Sequence, residues 1–253
     1  MSKSCKHALP VSDLAWRAKV EVCQHWVIAG SEELDRSLEV VAKMELGPYI
    51  SMRLALRFAL ESLQAIKDLL YRQSVPQAAV LTRSLLELST RTLWAVNIPN
   101  GWNRLIVLAT SEGAKRAREL DGFGEFKAIC EKALKNKEDV GGLIGCDPAP
   151  QIAQMLRDIE DADVRRGFIE KQRSCVTFEY ASVFKDMITV AHPNPVMLTL
   201  FDSRSLERNV VLGCIHSAYQ IVRALWQLLG KDWQPIAGQT AELITGKAVG
   251  RKA

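Results

Sequence analysis

Apolar residues recur at helical spacing along most of the chain, and the alternation typical of strands is almost absent. Clusters of Gly, Pro, Asn and Asp separate the periodic stretches, as expected for connections between helices. The fold class that follows is all-α, a multi-helix bundle with no substantial sheet. The pattern predicts helices over residues 12–29, 31–46, 49–72, 77–96, 104–120, 125–138, 151–159, 165–188 and 205–229.

Glycine and proline mark the predicted helix ends. Gly30 is expected to end the first helix, and Gly47-Pro48 is expected to end the second. Gly230 is expected to stop the last long helix. These boundaries predict three regions. They are N-terminal helices packed on the core, a helical bundle domain and a basic tail, at residues 1–48, 49–232 and 233–253.

The predicted helix over residues 77–96 is apolar on nearly all of its faces. Such a helix belongs in the middle of a bundle, so we expect it to be the central, buried helix. Its charged residues form one narrow stripe, because Arg83, Glu87 and Arg91 are spaced by four. We expect this stripe to be at least partly buried.

The helix before it carries a similar stripe, which contains Arg53, Arg57 and Glu61. If the two helices form an antiparallel hairpin, the two stripes face each other. One interpretation is a structural ion-pair network that sets helix register, and it is favoured because i,i+4 pairs are common in helices. The other is a polar pocket for an anion or a phosphate, since the arginines outnumber the glutamates and guanidinium binds phosphate through two hydrogen bonds.

A second candidate lies late in the chain, where His192 opens the turn His192-Pro193-Asn194-Pro195. This turn cannot continue a helix and holds His192 in place. Because imidazole titrates near neutral pH, His192 is a candidate general acid or base. The alternative is that His192 and Asn194 cap backbone groups at the helix end. His25 and His216 lie on mostly apolar helices and are expected to be core or edge histidines.

Composition restricts the function classes further. The chain has 253 residues, 48% of them apolar and 25% charged, which excludes disorder over most of its length. A net charge of +4 is too small to indicate a dense DNA-binding face, and no sequence-specific DNA-binding motif is present. The sequence has no metal-ligand cluster, no phosphate-binding glycine loop and no nucleophile elbow. We therefore expect neither a metal nor another cofactor.

Cysteine usage and hydropathy predict the compartment. The six cysteines are dispersed and form no Cys-x-x-Cys motif, which is typical of reduced thiols in a cytoplasmic protein. Residues 1–16 contain no apolar signal-peptide core. No apolar run approaches the ~18 residues that a membrane-spanning helix needs. We expect a cytoplasmic protein without a membrane partner.

The predicted central helix reads AAVLTRSLLE from Ala78 to Glu87 and continues through Arg91 and Trp94. A later segment, TVAHPN, ends at Asn194. In this order, the two segments resemble the Arg-x-x-x-Glu helix and the Ser/Thr-x-x-His-Pro-Asn turn of a group of uncharacterised bacterial helical proteins. The resemblance covers residues 49–230. It implies that five side chains meet in space: Arg83, Glu87, Arg91, His192 and Asn194.

That group has no assigned activity, so the resemblance implies no reaction. A weaker, fold-level similarity links the chain to helical nucleotide-binding and ribonuclease domains of bacterial toxin and phage-defence systems. Those enzymes carry an Arg followed by four to six residues and a His, and neither His192 nor His216 is preceded by that spacing. The ribonuclease interpretation therefore rests on analogy.

Two functions remain open, and the sequence leaves open whether the protein is an enzyme. The favoured one is a non-catalytic binding or regulatory module with an Arg/Glu-lined polar pocket, which Arg83, Glu87, Arg91, Arg57 and Asn194 would form. Its expected partners are a second copy of the chain and a phosphate-containing ligand or RNA. The alternative is a nuclease or nucleotide-processing enzyme that uses His192 with Arg83 and Arg91.

Overall fold

The computed structural model describes residues 11–40, 46–120, 127–129, 131–132, 135, 147–167 and 203–245. All regular secondary structure in these ranges is helical, so the all-α prediction is confirmed. Short helical pieces at residues 127–129, 131–132 and 135 lie between the fourth and fifth of the long helices. The long helices are α1 (Val11–Val40), α2 (Leu46–Tyr71), α3 (Val75–Asn97), α4 (Gly101–Leu120), α5 (Ile152–Arg165), α6 (Ser203–Leu228) and α7 (Gln234–Thr245).

The chain divides into two compact units. The first unit comprises Met1–Ser89 and Cys175–Ala253, and the second comprises Thr90–Ser174. Helix α3 therefore contributes its first part to the first unit and its last two turns to the second. The division predicted from the sequence, at residues 48 and 232, stays a prediction.

Helix α6 lies at the centre of the first unit, where it packs against α1, α2 and α7. From Gly213 to Leu225 every residue except Tyr219 is buried. The apolar residues of this segment cover only about half of the helix, and the polar residues His216, Gln220 and Arg223 on the other half are buried as well. Helix α3 was predicted to be the central helix, and it too is buried along much of its length.

Polar side chains buried in this core are paired between helices. Arg17 on α1 donates from Nε to the Glu207 carboxylate on α6 at 2.6 Å, and only 3% of the Arg17 side chain is exposed. Ser89 on α3 donates its hydroxyl to Oε1 of Gln220 on α6 at 2.9 Å. Removing one partner of such a pair leaves a buried polar group without a bond, which is costly. These pairs therefore fix how α1 and α3 lie against α6.

The structure corrects the expected helix end at Gly30. Helix α1 continues from Val11 to Val40 without a break. Gly30 is buried in the middle of it, and a Cβ at this position would lie 3.1 Å from Cδ2 of Leu225 on α6. The glycine is there because α1 and α6 approach closely, and not because the helix ends. The prediction was wrong because the sequence does not show this tertiary neighbour.

Two further boundaries differ from the sequence prediction. Gly47-Pro48 does not end a helix but lies in the first turn of α2, where the missing N–H of proline costs nothing. Helix α5 ends at Arg165, where a helix was predicted to begin, and Gly167 follows with a φ of +73°. The expected stop at Gly230 is confirmed, with a φ of +66°. Of the helix predicted over 165–188, residues 168–188 lie outside the described residues.

In the second unit, α3 passes into α4 through a tight turn. Asn100 adopts a φ of +57°, and Gly101 donates its N–H to the Ile98 carbonyl at 3.0 Å. A Cβ on Gly101 would lie 2.5 Å from the carbonyl oxygen of Ala95. Because that oxygen belongs to the backbone, only glycine fits the turn as it stands.

Gly101→Ala is predicted to lower the free energy of unfolding by about 2 kcal/mol or more, because the backbone of the turn must shift. Gly113→Ala is the matched control, since Gly113 lies inside α4 and a Cβ there would meet nothing within 4 Å. The control is expected to gain about 0.5–1 kcal/mol from helix propensity. Urea unfolding measures the free energy of unfolding of both variants. Equal values would contradict the claim that only glycine fits the turn at residue 101.

Candidate functional site

The charged stripe of α3 contains a half-buried ion pair in the first unit. Nε of Arg83 lies 3.2 Å from Oε1 of Glu87, and 25% and 29% of their side chains are exposed. The pairing is the i,i+4 contact that the sequence spacing predicts. Both groups therefore have a partner on their own helix before any ligand is considered.

The stripe of α2 lies on the surface. Arg57 pairs with Glu61 at 2.9 Å, with 77% and 64% of the two side chains exposed. Arg53 pairs with Asp35 of α1 at 3.2 Å. The interpretation that this stripe faces another one inside the bundle is wrong, because its members are exposed. A ligand-binding role for Arg57 stays a prediction, now for an exposed position.

Of the remaining predicted site residues, only Arg91 lies within the described ranges. Arg91 lies on α3 in the second unit, and its Nε is buried without a hydrogen-bond partner in the described part of the chain. His192 and Asn194 lie outside the described residues. The meeting of these three with Arg83 and Glu87 therefore stays a prediction.

The second unit contains a groove with both apolar and charged residues in its lining, which the sequence pattern does not single out. It has a volume of about 570 Å³ and lies along α4, α5 and the turn before α4. We call it the α4–α5 groove. Its lining residues include Ile98, Pro99, Arg104, Asp158, Asp161 and Arg165. The groove thus combines two guanidinium groups with two carboxylates.

Asp158 is held rigidly in this groove. Its Oδ2 accepts a hydrogen bond from the indole N–H of Trp94 at 2.8 Å, and its Oδ1 accepts one from the Gln154 amide at 2.8 Å. Trp94 is fully buried, so its ring provides a fixed donor. Both carboxylate oxygens are therefore satisfied by the protein itself.

Arg104 and Arg165 make contacts that are weaker than an ion pair with a carboxylate. The Arg104 guanidinium lies 5.0 Å from the centroid of the Trp94 ring, and its Nε donates to the Asp147 carbonyl at 3.3 Å. Nε of Arg165 donates to the Asp161 carbonyl at 3.3 Å. Within the described ranges, neither guanidinium lies within ion-pair distance of a carboxylate. Both are positioned by aromatic or backbone contacts, and no described carboxylate pairs with them.

A sequence signal for this groove was available. Asp158, Asp161 and Arg165 follow one another at i, i+3 and i+7, which places them on one face of a helix. The predicted helix boundaries, an end at residue 159 and a start at residue 165, divide these three residues and so hide the shared face. Arg104 lies on a separate segment, and only the fold brings it to the same groove.

Comparisons of the chain with protein-family models, with curated proteins and with solved structures found no match. The resemblance to a bacterial helical group therefore stays a prediction. In the part of the chain that the structure describes, no helix has the length and apolar character to cross a membrane. The same residues contain no cluster of His, Cys, Asp and Glu that could hold a metal ion.

The two described histidines differ in environment. His216 lies on α6 and is buried, and burial lowers the pKa of its imidazole to about 4. It is therefore neutral in the folded protein at physiological pH. His25 on α1 is exposed.

The buried imidazole predicts acid destabilisation. Above pH 6.5 His216 is neutral in both the folded and unfolded states, so it contributes no pH dependence. As the pH falls from 6.5 towards 4, only the unfolded state gains the proton, and the free energy of unfolding falls by about 3 kcal/mol. His216→Gln should flatten this part of the stability profile in urea titrations. Parallel profiles for parent and His216→Gln would contradict the prediction.

The Arg83–Glu87 pair is predicted to be structural. A double-mutant cycle with Arg83→Ala and Glu87→Ala should give a coupling energy of about 0.5–1 kcal/mol in thermal or urea unfolding. The exposed Arg57–Glu61 pair is the matched control and should give about 0.3 kcal/mol, since water screens it more. A zero coupling for Arg83–Glu87 would contradict a structural role for the pair.

Proposed function

We propose that the protein is a non-catalytic binding module, and that its α4–α5 groove takes a small phosphate-bearing ligand. One observation carries the proposal: Arg104 and Arg165 line the groove without a carboxylate partner among the described residues. Guanidinium is planar and always charged, and it binds phosphate oxygens through two parallel hydrogen bonds.

The groove carries two positive and two negative side chains, so its charges balance, and the proposed anion lies next to the arginines. Asp158 already accepts hydrogen bonds from Trp94 and Gln154, so it does not need the guanidinium groups. Asp161 is exposed, and its carboxylate is available to accept a donor from the ligand. A ligand with a phosphate and an additional N–H or O–H donor fits both sides of the groove. The volume of about 570 Å³ lies in the range of small-molecule sites.

A binding role fits the groove better than catalysis. Its lining residues include no histidine, cysteine or serine that could act as a nucleophile or a proton shuttle near neutral pH. Asp158 is held by two hydrogen bonds, as is typical of a positioning group.

The wider setting belongs to the same proposal. We place the module in the cytoplasm of a bacterium, where it would act as a homo-oligomer on a small phosphate-bearing ligand or on RNA. In support, Cys23 and Cys214 are free and buried, and burial raises the pKa of both thiols. Such thiols are inert and need no oxidising compartment.

The second candidate is a nuclease or nucleotide-processing enzyme of a toxin or phage-defence type. It would use His192 as acid or base and Arg83 and Arg91 to stabilise phosphate charge. The observation in its favour is that the buried Nε of Arg91 has no hydrogen-bond partner among the described residues. Native proteins rarely leave a buried guanidinium nitrogen without a hydrogen bond. A ligand that reorients the Arg91 side chain would explain the missing bond.

Arg165→Gln is predicted to weaken the binding of adenosine monophosphate about tenfold in isothermal titration calorimetry, because one guanidinium fork is lost. Arg157→Gln is the matched control, since Arg157 is an exposed arginine of the same helix and its Nε bonds to Gln154. The control should bind like the parent, and the nucleotide should be recovered unchanged.

Equal affinities of the Arg165→Gln and Arg157→Gln variants would contradict the groove as the binding site. The functional class is tested separately, by incubating the protein with the nucleotide and with total RNA. Turnover or cleavage by the parent that is lost in a folded His192→Ala variant would overturn the non-catalytic proposal in favour of the second candidate.

A further inference from the structure

The first unit contains an apolar cavity of about 350 Å³ between α1, α6 and α7. We call it the α1–α7 cavity. Its walls include Trp26, Ala29, Gly30, Val222, Trp226 and Ile236. It belongs to a different unit from the α4–α5 groove, and none of its residues serves the phosphate proposal. Two indole rings and aliphatic side chains make it a typical apolar small-molecule site.

The charged groups at this cavity already have partners. Lys231 forms an ion pair with Glu33, and this ammonium lowers the pKa of the Glu33 carboxyl. Oδ1 of Asp232 accepts the backbone N–H of Gln234 at 3.0 Å, at the start of α7. An ionic occupant would have to compete with these contacts, so the cavity favours a neutral one.

One polar atom of a residue that lines the cavity lacks a partner among the described residues. The indole N–H of Trp226 is buried and makes no hydrogen bond within the described part of the chain. A buried donor without a partner costs free energy, and native proteins rarely leave one unexplained. A turn of this ring towards the cavity would pair the N–H with an acceptor on an occupant. The occupant that gains most from the site therefore carries a carbonyl or a similar acceptor.

We propose that the α1–α7 cavity binds a neutral, planar, largely apolar molecule that carries one hydrogen-bond acceptor. The Trp26 indole contacts one of its flat faces, and Trp226, with its ring turned edge-on, donates its N–H to the acceptor. This second site is independent of the phosphate-binding groove, because it differs from that groove in its unit, its charge balance and the chemistry of its ligand.

The test uses prodan, a neutral naphthalene ketone whose emission shifts to the blue in apolar surroundings. The parent protein is expected to bind it saturably with one-to-one stoichiometry. Ala29→Phe on α1 and Gln239→Phe on α7 each place an aromatic ring at the cavity and should weaken binding about tenfold or more. Ala18→Phe is the matched control on the same helix, because Ala18 is exposed and does not line the cavity. It should bind like the parent.

Trp226→Phe tests the donor, since it keeps an aromatic ring and removes the N–H. It should weaken prodan binding about fivefold, the usual effect of losing one neutral hydrogen bond. Circular dichroism checks that every variant is folded. The absence of saturable binding to the parent, or equal affinities of Ala29→Phe, Gln239→Phe and Ala18→Phe, would overturn the cavity as a site. An unchanged affinity of Trp226→Phe would overturn the hydrogen bond assigned to it.

Discussion

Polar side chains on a helix that is buried on nearly all sides are costly unless they find partners, and two pairs of this kind join α6 to its neighbours in the first unit. Glu207 is paired with Arg17 of α1, and Gln220 is paired with Ser89 of α3. Apolar packing alone tolerates small shifts of one helix along another, whereas these bonds do not. The position of α1 and α3 against α6 therefore follows from a few polar pairs as well as from the apolar core.

In the second unit, the same need for partners distinguishes structural polar groups from candidate ligand-binding groups. The carboxylate of Asp158 is satisfied by Trp94 and Gln154, so it belongs to the scaffold. Arg104 and Arg165 are positioned by a ring and by backbone carbonyls, and their charge is not compensated by a described carboxylate. This difference from the ion-paired Arg83–Glu87 is the reason for proposing that the two arginines bind an anion.

Much of the fold could be predicted from the sequence, because helical periodicity is a local property. The extents of α2, α3 and α6 agree with the pattern to within a few residues, and Gly230 ends α6 as expected. Gly30 shows where local information fails, since a glycine can end a helix or admit a close neighbour. Only the position of Leu225 decides between the two.

The candidate site was predictable only in its local part. The Arg83–Glu87 pair follows from spacing on one helix, and the structure contains it. The α4–α5 groove joins Arg104 on α4 to Asp158 and Arg165 on α5. Their proximity is a property of the tertiary fold, so a single sequence without the fold does not show it.

Whether Arg104 and Arg165 bind the anion is tested most directly by nuclear magnetic resonance of the arginine Nε–H groups during a titration with adenosine monophosphate. The resonances are assigned by single Arg→Lys variants. The expected result is that the signals of Arg104 and Arg165 shift saturably while those of Arg57 and Arg157 stay in place. Saturable shifts of Arg83 and Arg91, with Arg104 and Arg165 unmoved, would contradict the groove and place the ligand on the stripe of α3.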